Sequence, residues 1–410
     1  MTIKVTSPEE VGLSGERLSR IESHLQNRYL APRKIAGALT LVARRGRVAY
    51  LSPLGMMDAE RQKPMAEDTI FRIYSMTKPI ATVALMMLYE HGHFQLGDQV
   101  YKYIPEWRNL KVYVSGEYPD FVTKSPERDM TIRDLLTHTS GLAYGASAEV
   151  GTPVSAAYNK LKVFDLRRGT LEEMVQKVAG LPLEFSPGTR WNYSISTDVC
   201  GYLVEVTSGM SFDEYLKKYI FEPLGMVDTG FHVPPEKAGR FAANYNRDAN
   251  KKLRLIDDPA NSAYLTPPTC FSGGGGLVST VADYYRFCQM LLNGGELDGV
   301  RLLGPKTIEY MTKNHLPGNQ DLTDLSISAF SETANEGVGF GLGFAMVVDL
   351  IKTQQLGSVG EYYWGGAAST IFWIDPVQGL VVIFLTQLMP SNTFNFRGQL
   401  KSIIYPAIID

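Results

Sequence analysis

The chain has 410 residues, of which 44% are hydrophobic and 20% charged, with a formal net charge of −3. This is ordinary globular composition and excludes a disordered or fibrous chain. The balance lacks the basic surplus of a nucleic-acid binder, and the length predicts two substructures rather than one simple core.

The opening MTIKVTSPEEVGLSGERLSR lacks the apolar core of a signal peptide. The longest apolar runs, such as residues 80–88 (IATVALMML), are about half a membrane span. A cytoplasmic protein with no membrane partner is therefore expected. Residues 14–30 (SGERLSRIESHLQNRYL) predict an amphipathic helix. Ser14 is its cap, and Leu18, Ile21, Leu25 and Leu30 follow helical spacing. ALTLVAR and RVAYLS then flank Arg45 and Gly46, the pattern of a hairpin. A helix follows over about 75–90 and stops at Gly92.

From about 105 to 265 helix patterns dominate: MTIRDLLTHTSGL, TLEEMVQKVAGL, TDVCGYLVEVTSG and SFDEYLKKYIFEPLGM. Ser272 and the four glycines at 273–276 read as a loop returning to a sheet, because no Lys-Ser or Lys-Thr follows as a phosphate-binding loop requires. FGLGFAMVVDL, ASTIFWID and GLVVIFLTQ predict consecutive antiparallel strands, with a turn at Asp375-Pro376 and Gly379. FNFRGQLKSIIYPAIID predicts a closing helix. Strands at both ends with helices between predict an α/β fold of the α+β type. Residues 1–105 and 266–410 would form an antiparallel sheet domain flanked by terminal helices, and 106–265 a mainly helical inserted domain. The cleft between two such lobes is a usual place for a site.

Cys200, Cys270 and Cys288 are far apart, odd in number and form no CxxC pair. They read as small buried thiols, not as a disulfide framework or zinc site. His91 and His93 follow a helix end with no acidic partner at ligand spacing, and a histidine is favoured there without any metal. No metal or cofactor motif is found, and nothing sets the oligomeric state.

Ser75-Met76-Thr77-Lys78 opens a strongly apolar helix. Positions i and i+3 share a helix face, about 5–6 Å apart at Cβ, so a lysine amine can reach the serine hydroxyl. A helix start also offers free N–H groups to developing negative charge. Pro79 requires the helix to begin close to Ser75, because a deep interior proline costs about 3 kcal/mol. A lysine ordinarily titrates near 10.4, so acting as a base near neutral pH needs about 4 kcal/mol from burial or neighbours. Alone, this pattern is weak and reads first as a helix cap with a solvated lysine.

Two further segments change that balance. One is Phe185-Ser186-Pro187-Gly188-Thr189-Arg190-Trp191-Asn192-Tyr193-Ser194, with Leu135-Leu136-Thr137-His138-Thr139-Ser140-Gly141-Leu142 upstream. The other is Tyr362-Tyr363-Trp364-Gly365-Gly366-Ala367, placed just before a predicted strand. In this order, over roughly residues 10–400, the set resembles class C serine β-lactamases, D-peptidases and, above all, the β-lactamase-like (family VIII) carboxylesterases. The resemblance implies a β-lactamase and penicillin-binding-protein-like fold. It implies Ser75 as acylated nucleophile, Lys78 as partner in removing its proton, and Tyr193 as proton shuttle. The backbone N–H groups of Ser75 and Ala367 would form the oxyanion hole. Gly365 and Gly366 would let the strand approach the substrate. His138 is structural in that family.

Two departures bear on substrate. Trp364 stands where the β-lactamases carry a lysine that attracts a carboxylate, and offers an apolar wall with one N–H. Ile195 stands where an asparagine amide usually grips the acyl-amide. Both favour a small-molecule ester over a β-lactam. No G-x-S-x-G pentapeptide is present, so the nucleophile elbow of the α/β-hydrolases is absent. The expected activity is a carboxylesterase for small to medium esters. The alternatives are a β-lactamase, a D-aminoacyl peptidase or an acyltransferase with the same machinery, and then a non-catalytic sensor on the same fold.

Overall fold

The computed structural model describes residues 3–145, 151–327 and 336–410. Its centre is an eight-stranded sheet drawn from both ends of the chain. β1 (Gly37–Arg44), β2 (Arg47–Asp58) and β3 (Lys63–Pro64) come from the N-terminal part. β4 (Val338–Phe340), β5 (Ala345–Val347), β6 (Tyr362–Gly366), β7 (Thr370–Asp375) and β8 (Leu380–Leu385) come from the C-terminal part. Their spatial order is β4-β5-β6-β7-β8-β1-β2-β3, with every pair antiparallel. The ends of the chain meet where β8 pairs with β1, Leu41 opposite Ile383.

Turn chemistry explains the tight links. Arg45 and Gly46 both have positive φ, 54° and 75°, as a two-residue type I′ hairpin requires. Arg45 is held there by its N–H bond to Gly379 O, 2.8 Å, and by an ion pair with Asp410, 2.8 Å. Between β7 and β8 the Asp375 carboxylate accepts the N–H groups of Val377 and Gln378, 3.0 and 3.1 Å.

The helices that place the site are α1 (Arg20–Leu25), α2 (Thr77–Glu90), α3 (Ser196–Ser208), α4 (Val281–Leu292) and α5 (Phe396–Ile404). Successive strand residues face opposite sides of a sheet. Phe372, opposite Ile383, meets Tyr284 of α4 at 5.1 Å between ring centroids. Phe384, the next residue along β8, meets Phe396 of α5 at 4.9 Å. Helices therefore cover both faces, and β1, β6, β7 and β8 are buried along their whole length.

Ser14 caps its helix by accepting the Arg17 N–H, 3.3 Å. The helix itself is broken into Gly15–Leu18, α1 and a π turn over Gln26–Leu30. Two late readings are corrected. FGLGFAMVVDL is a hairpin of β4 and β5, not one strand. Gly343 turns the chain with φ 81°, and a Cβ there would lie 2.3 Å from Thr82 Oγ1. The segment holding Trp364 is itself strand β6, inserted between β5 and β7. Burial on both faces removes the polar–apolar alternation that marks a half-exposed strand. Cys200, Cys270 and Cys288 are free and buried. Among the described residues, no helix is long and apolar enough to cross a membrane.

Candidate active site

The Ser75 turn is held in an unusual backbone state. Tyr74–Met76 forms a 3₁₀ turn that runs straight into α2. Tyr74 has φ 41°, a region few non-glycine residues adopt and one that costs about 1–3 kcal/mol. Neighbours hold it. The Asn244 amide donates to Tyr74 Oη, 3.1 Å, and the Ile73 N–H donates to Leu277 O, 3.1 Å. Pro79 falls in the first turn of α2, where a missing N–H breaks no helical bond. The end of β6 lies against this turn, for a Cβ on Gly366 would sit 2.3 Å from Ile73 O. Gly365 pairs with Ile371 in the sheet. Ala367 is one residue beyond the Gly366 contact and half-exposed.

Three side chains expected from the sequence converge. Tyr193 Oη donates to Ser75 Oγ at 2.7 Å. Lys78 Nζ donates to Ser75 Oγ at 3.3 Å, to Tyr144 Oη at 3.1 Å and to Gly274 O at 2.6 Å. It also lies 4.4 Å from the Tyr193 ring centroid. Lys78 is 1% exposed, whereas Ser75 and Tyr193 are half-buried. The hydroxyls thus face the opening and the ammonium lies beneath them. A buried ammonium is tolerable only with such partners. The arrangement joins an accessible hydroxyl to two groups able to carry its proton, at the head of a helix.

A model of the Beta-lactamase family matches residues 22–400. The chain belongs to that family. It is similar to esterase EstB of Burkholderia gladioli, 30% identical over 405 residues and 94% of each chain. It is also similar to acyltransferase calJ of Penicillium decumbens, 28% identical over 341 residues, covering 80% of this chain and 78% of the relative. Among solved structures it resembles EstCE1, a hydrolase with promiscuous acyltransferase activity. That match has a TM-score of 0.78 at 26% identity, covering 95% of this chain and 99% of that one. The chain is thus a β-lactamase-like enzyme of a group that holds both serine hydrolases and acyltransferases, on the mixed α/β fold expected.

The cluster around Ser75 includes residues that motif reading missed. Asp198, in the first turn of α3, accepts Ser272 Oγ at 2.5 Å and the Gly274 N–H at 2.9 Å. Burial pushes its carboxyl pKa up, against the pull of the Lys78 charge and these hydrogen bonds. Gly274 in turn presents its carbonyl to Lys78, and a Cβ on it would lie 2.4 Å from Asp198 Oδ2 and 2.9 Å from Tyr144 Oη. The glycine loop is therefore part of the lysine's housing. Burial pushes the Tyr144 hydroxyl far up, with the charge of Asp198 adding to the effect, so it remains a neutral partner of Lys78. Both missed side chains flank a motif. Tyr144 is two residues past Leu142, and Asp198 is five past Tyr193.

His138 sits behind Tyr193 with ring centroids 5.0 Å apart, and its Nδ1 lies 3.3 Å from Ser194 Oγ. Burial, helped by the Lys78 charge, lowers its pKa well below the usual histidine range. The folded protein therefore refuses a proton that the unfolded chain accepts near pH 6.5. Stability from this residue is full above that pH and is lost as pH falls below it, by about 1.4 kcal/mol per pH unit. Urea unfolding at pH 7.5, 6.0 and 5.0 is expected to show a fall that His138→Phe makes shallower. Equal slopes in both proteins would contradict a neutral, buried His138.

The two residues expected to shape the substrate wall are both buried. Trp364 is 1% exposed, with its ring 5.6 Å from that of Tyr193 and 5.4 Å from Phe340. Its carbonyl accepts Arg397 Nη2 at 3.1 Å. Ile195 is fully buried in the core at the head of α3, where its N–H donates to Ala143 O at 3.3 Å.

Proposed function

We propose that the protein is a serine carboxylesterase that hydrolyses small to medium carboxylic esters through an acyl-enzyme on Ser75. The observation that carries this reading is the 2.7 Å bond from Tyr193 Oη to Ser75 Oγ, with Lys78 Nζ 3.3 Å from the same oxygen. Ser75 Oγ attacks the ester carbonyl carbon while the Tyr193–Lys78 pair, in the form that carries one proton fewer than tyrosine hydroxyl plus ammonium, takes its proton. Because the two groups touch, the proton belongs to the pair and not to one member. The oxyanion faces the N–H groups of Ser75 and Ala367, each such donor being worth about 3 kcal/mol. The tetrahedral intermediate collapses with cleavage of the ester C–O bond, and the pair returns the proton to the departing alcohol. Water then attacks the acyl-Ser75, the pair takes one water proton, and that proton restores the Ser75 hydroxyl as the carboxylic acid leaves.

Trp364 and Ile195 support esters over β-lactams, since neither supplies the cation or amide that would hold a β-lactam. Similarity to calJ and EstCE1 supports a second reading, in which an alcohol and not water attacks the acyl-enzyme. The machinery is the same and only the acceptor differs. The test is hydrolysis of p-nitrophenyl acetate, butyrate and octanoate beside a chromogenic cephalosporin, then the butyrate assay repeated with added 1-butanol. The expected result is faster cleavage of the shorter esters than of the cephalosporin, with butyric acid as main product. Faster cephalosporin turnover would overturn the ester preference. Butyl butyrate as the main product would replace the esterase by the acyltransferase.

A further inference from the structure

A cavity of about 540 Å³ is lined in part by Phe271 and Val278, which flank the glycine loop that accepts Lys78. That volume is in the range of small-molecule sites. Its lining is mainly apolar, with Phe221, Met226, Phe231 and Phe271, and also holds Lys217 and His232. Three carboxylates line it, Asp213, Glu222 and Asp228. Asp228 is already paired with Lys237 and Arg240, at 2.8 and 2.7 Å. Asp213, at the start of the helix Phe212–Leu216, has a buried Oδ1 with no hydrogen-bond partner among the described residues. Leaving a buried acceptor unsatisfied costs about 1–3 kcal/mol, and native proteins seldom do so. A mainly apolar chamber lined by Asp213 and Glu222, with Asp228 already paired, suits a molecule with an apolar body and a donor head.

The segment 271–276 connects this cavity to the Ser75 site, Phe271 lining the one and Gly274 O accepting Lys78 Nζ in the other. On the cavity side, Phe271 packs against Phe231, with ring centroids 5.2 Å apart. Phe231 also fills the space over Gly276, where a Cβ would lie 2.8 Å from its ring. On the other side, Ser272 Oγ and the Gly274 N–H are tied to Asp198, and Gly274 O accepts Lys78 Nζ. Any shift of the Phe271–Phe231 pair moves a chain segment that holds the lysine.

We propose that this cavity is a second ligand site for molecules with an apolar chain and a hydrogen-bond-donating head, and that its occupancy alters turnover through residues 271–276. The site itself stands apart from the esterase reading, and only the coupling rests on the role given to Lys78. Octylamine supplies the chain and a donor head. Octanoate supplies the same chain with a head that Asp213 repels. Calorimetric titration of the full chain, with no acyl donor present, is expected to show one saturable site for octylamine and at least tenfold weaker binding of octanoate. Asp213→Leu is expected to weaken octylamine at least tenfold. Val227→Trp, at an exposed lining position, is expected to abolish its binding. No binding heat with octylamine would mean that water alone fills the cavity, and binding that survives Val227→Trp would place the ligand elsewhere. Either result overturns the site. Equal binding of octanoate overturns the role of Asp213. In the p-nitrophenyl butyrate assay, saturating octylamine is expected to change kcat at least twofold with the midpoint seen by calorimetry. Val227→Trp is expected to keep the wild-type ester rate and lose that response. An unchanged kcat, or a change that persists in Val227→Trp, overturns the coupling. A wild type that turns over no ester refutes the esterase reading and the coupling together, while the calorimetry still decides the site.

Discussion

Ser75→Ala is expected to lower ester turnover by about 10⁵-fold or more, the scale on which a serine hydrolase loses activity with its nucleophile. The reason is the loss of an oxygen that both Tyr193 and Lys78 address, at 2.7 and 3.3 Å. Without it no acyl-enzyme forms, and the remaining N–H groups can only bind the ester. The fold should survive, because the Ser75 side chain is half-buried and the turn is held by Tyr74 and Ile73 instead. Intact mass spectrometry during turnover checks this directly. Wild type should show an acyl adduct that Ser75→Ala lacks, with matching circular dichroism and thermal unfolding. Wild-type rates in the variant would remove Ser75 from the mechanism, and a wild-type adduct that never turns over would favour a sensor.

Tyr193→Phe is expected to lower kcat by about 10²–10⁴-fold, the usual worth of a positioned acid–base group. It removes one oxygen and keeps the ring. The ring is what packs here, 6.2 Å from Trp191, 5.6 Å from Trp364 and 4.4 Å from the Lys78 ammonium. Unfolding should therefore change little, and KM should change far less than kcat. The pH–rate profile is the sharper readout. If the Tyr193–Lys78 pair handles the proton, the limb that rises with pH should move when the tyrosine hydroxyl is deleted. A loss under tenfold with an unmoved profile would assign the proton transfer to Lys78 without Tyr193.

Motif flanks explain how much of the site could be read in advance. Ser75, Lys78 and Tyr193 each stand in a segment whose residue types are unusual together. Tyr144 and Asp198 stand just outside such segments, and Tyr and Asp are common residues with no spacing rule that links them to a lysine. Asp198 reaches Lys78 through Ser272 and Gly274, which lie 74 and 76 residues further along the chain. Gly274 read as a plain loop glycine because its task is set by what packs against it. The same holds for β6, whose two covered faces hide its strand character.

The sequence by itself determined what depends on neighbours along the chain. It placed Ser75 and Lys78 on one helix face through the helical repeat. It placed the hairpin at Arg45-Gly46 through the strand patterns on either side, and the late antiparallel strands and closing helix through their patterns. Only the tertiary structure decided the rest. Tyr193 lies 118 residues from Ser75, and Gly274 lies 196 from Lys78, yet each pair makes a hydrogen bond. The break at Gly343 likewise answers to a distant side chain, that of Thr82. Such contacts leave no local pattern, because their free energy comes from closing long loops and burying both partners in one core.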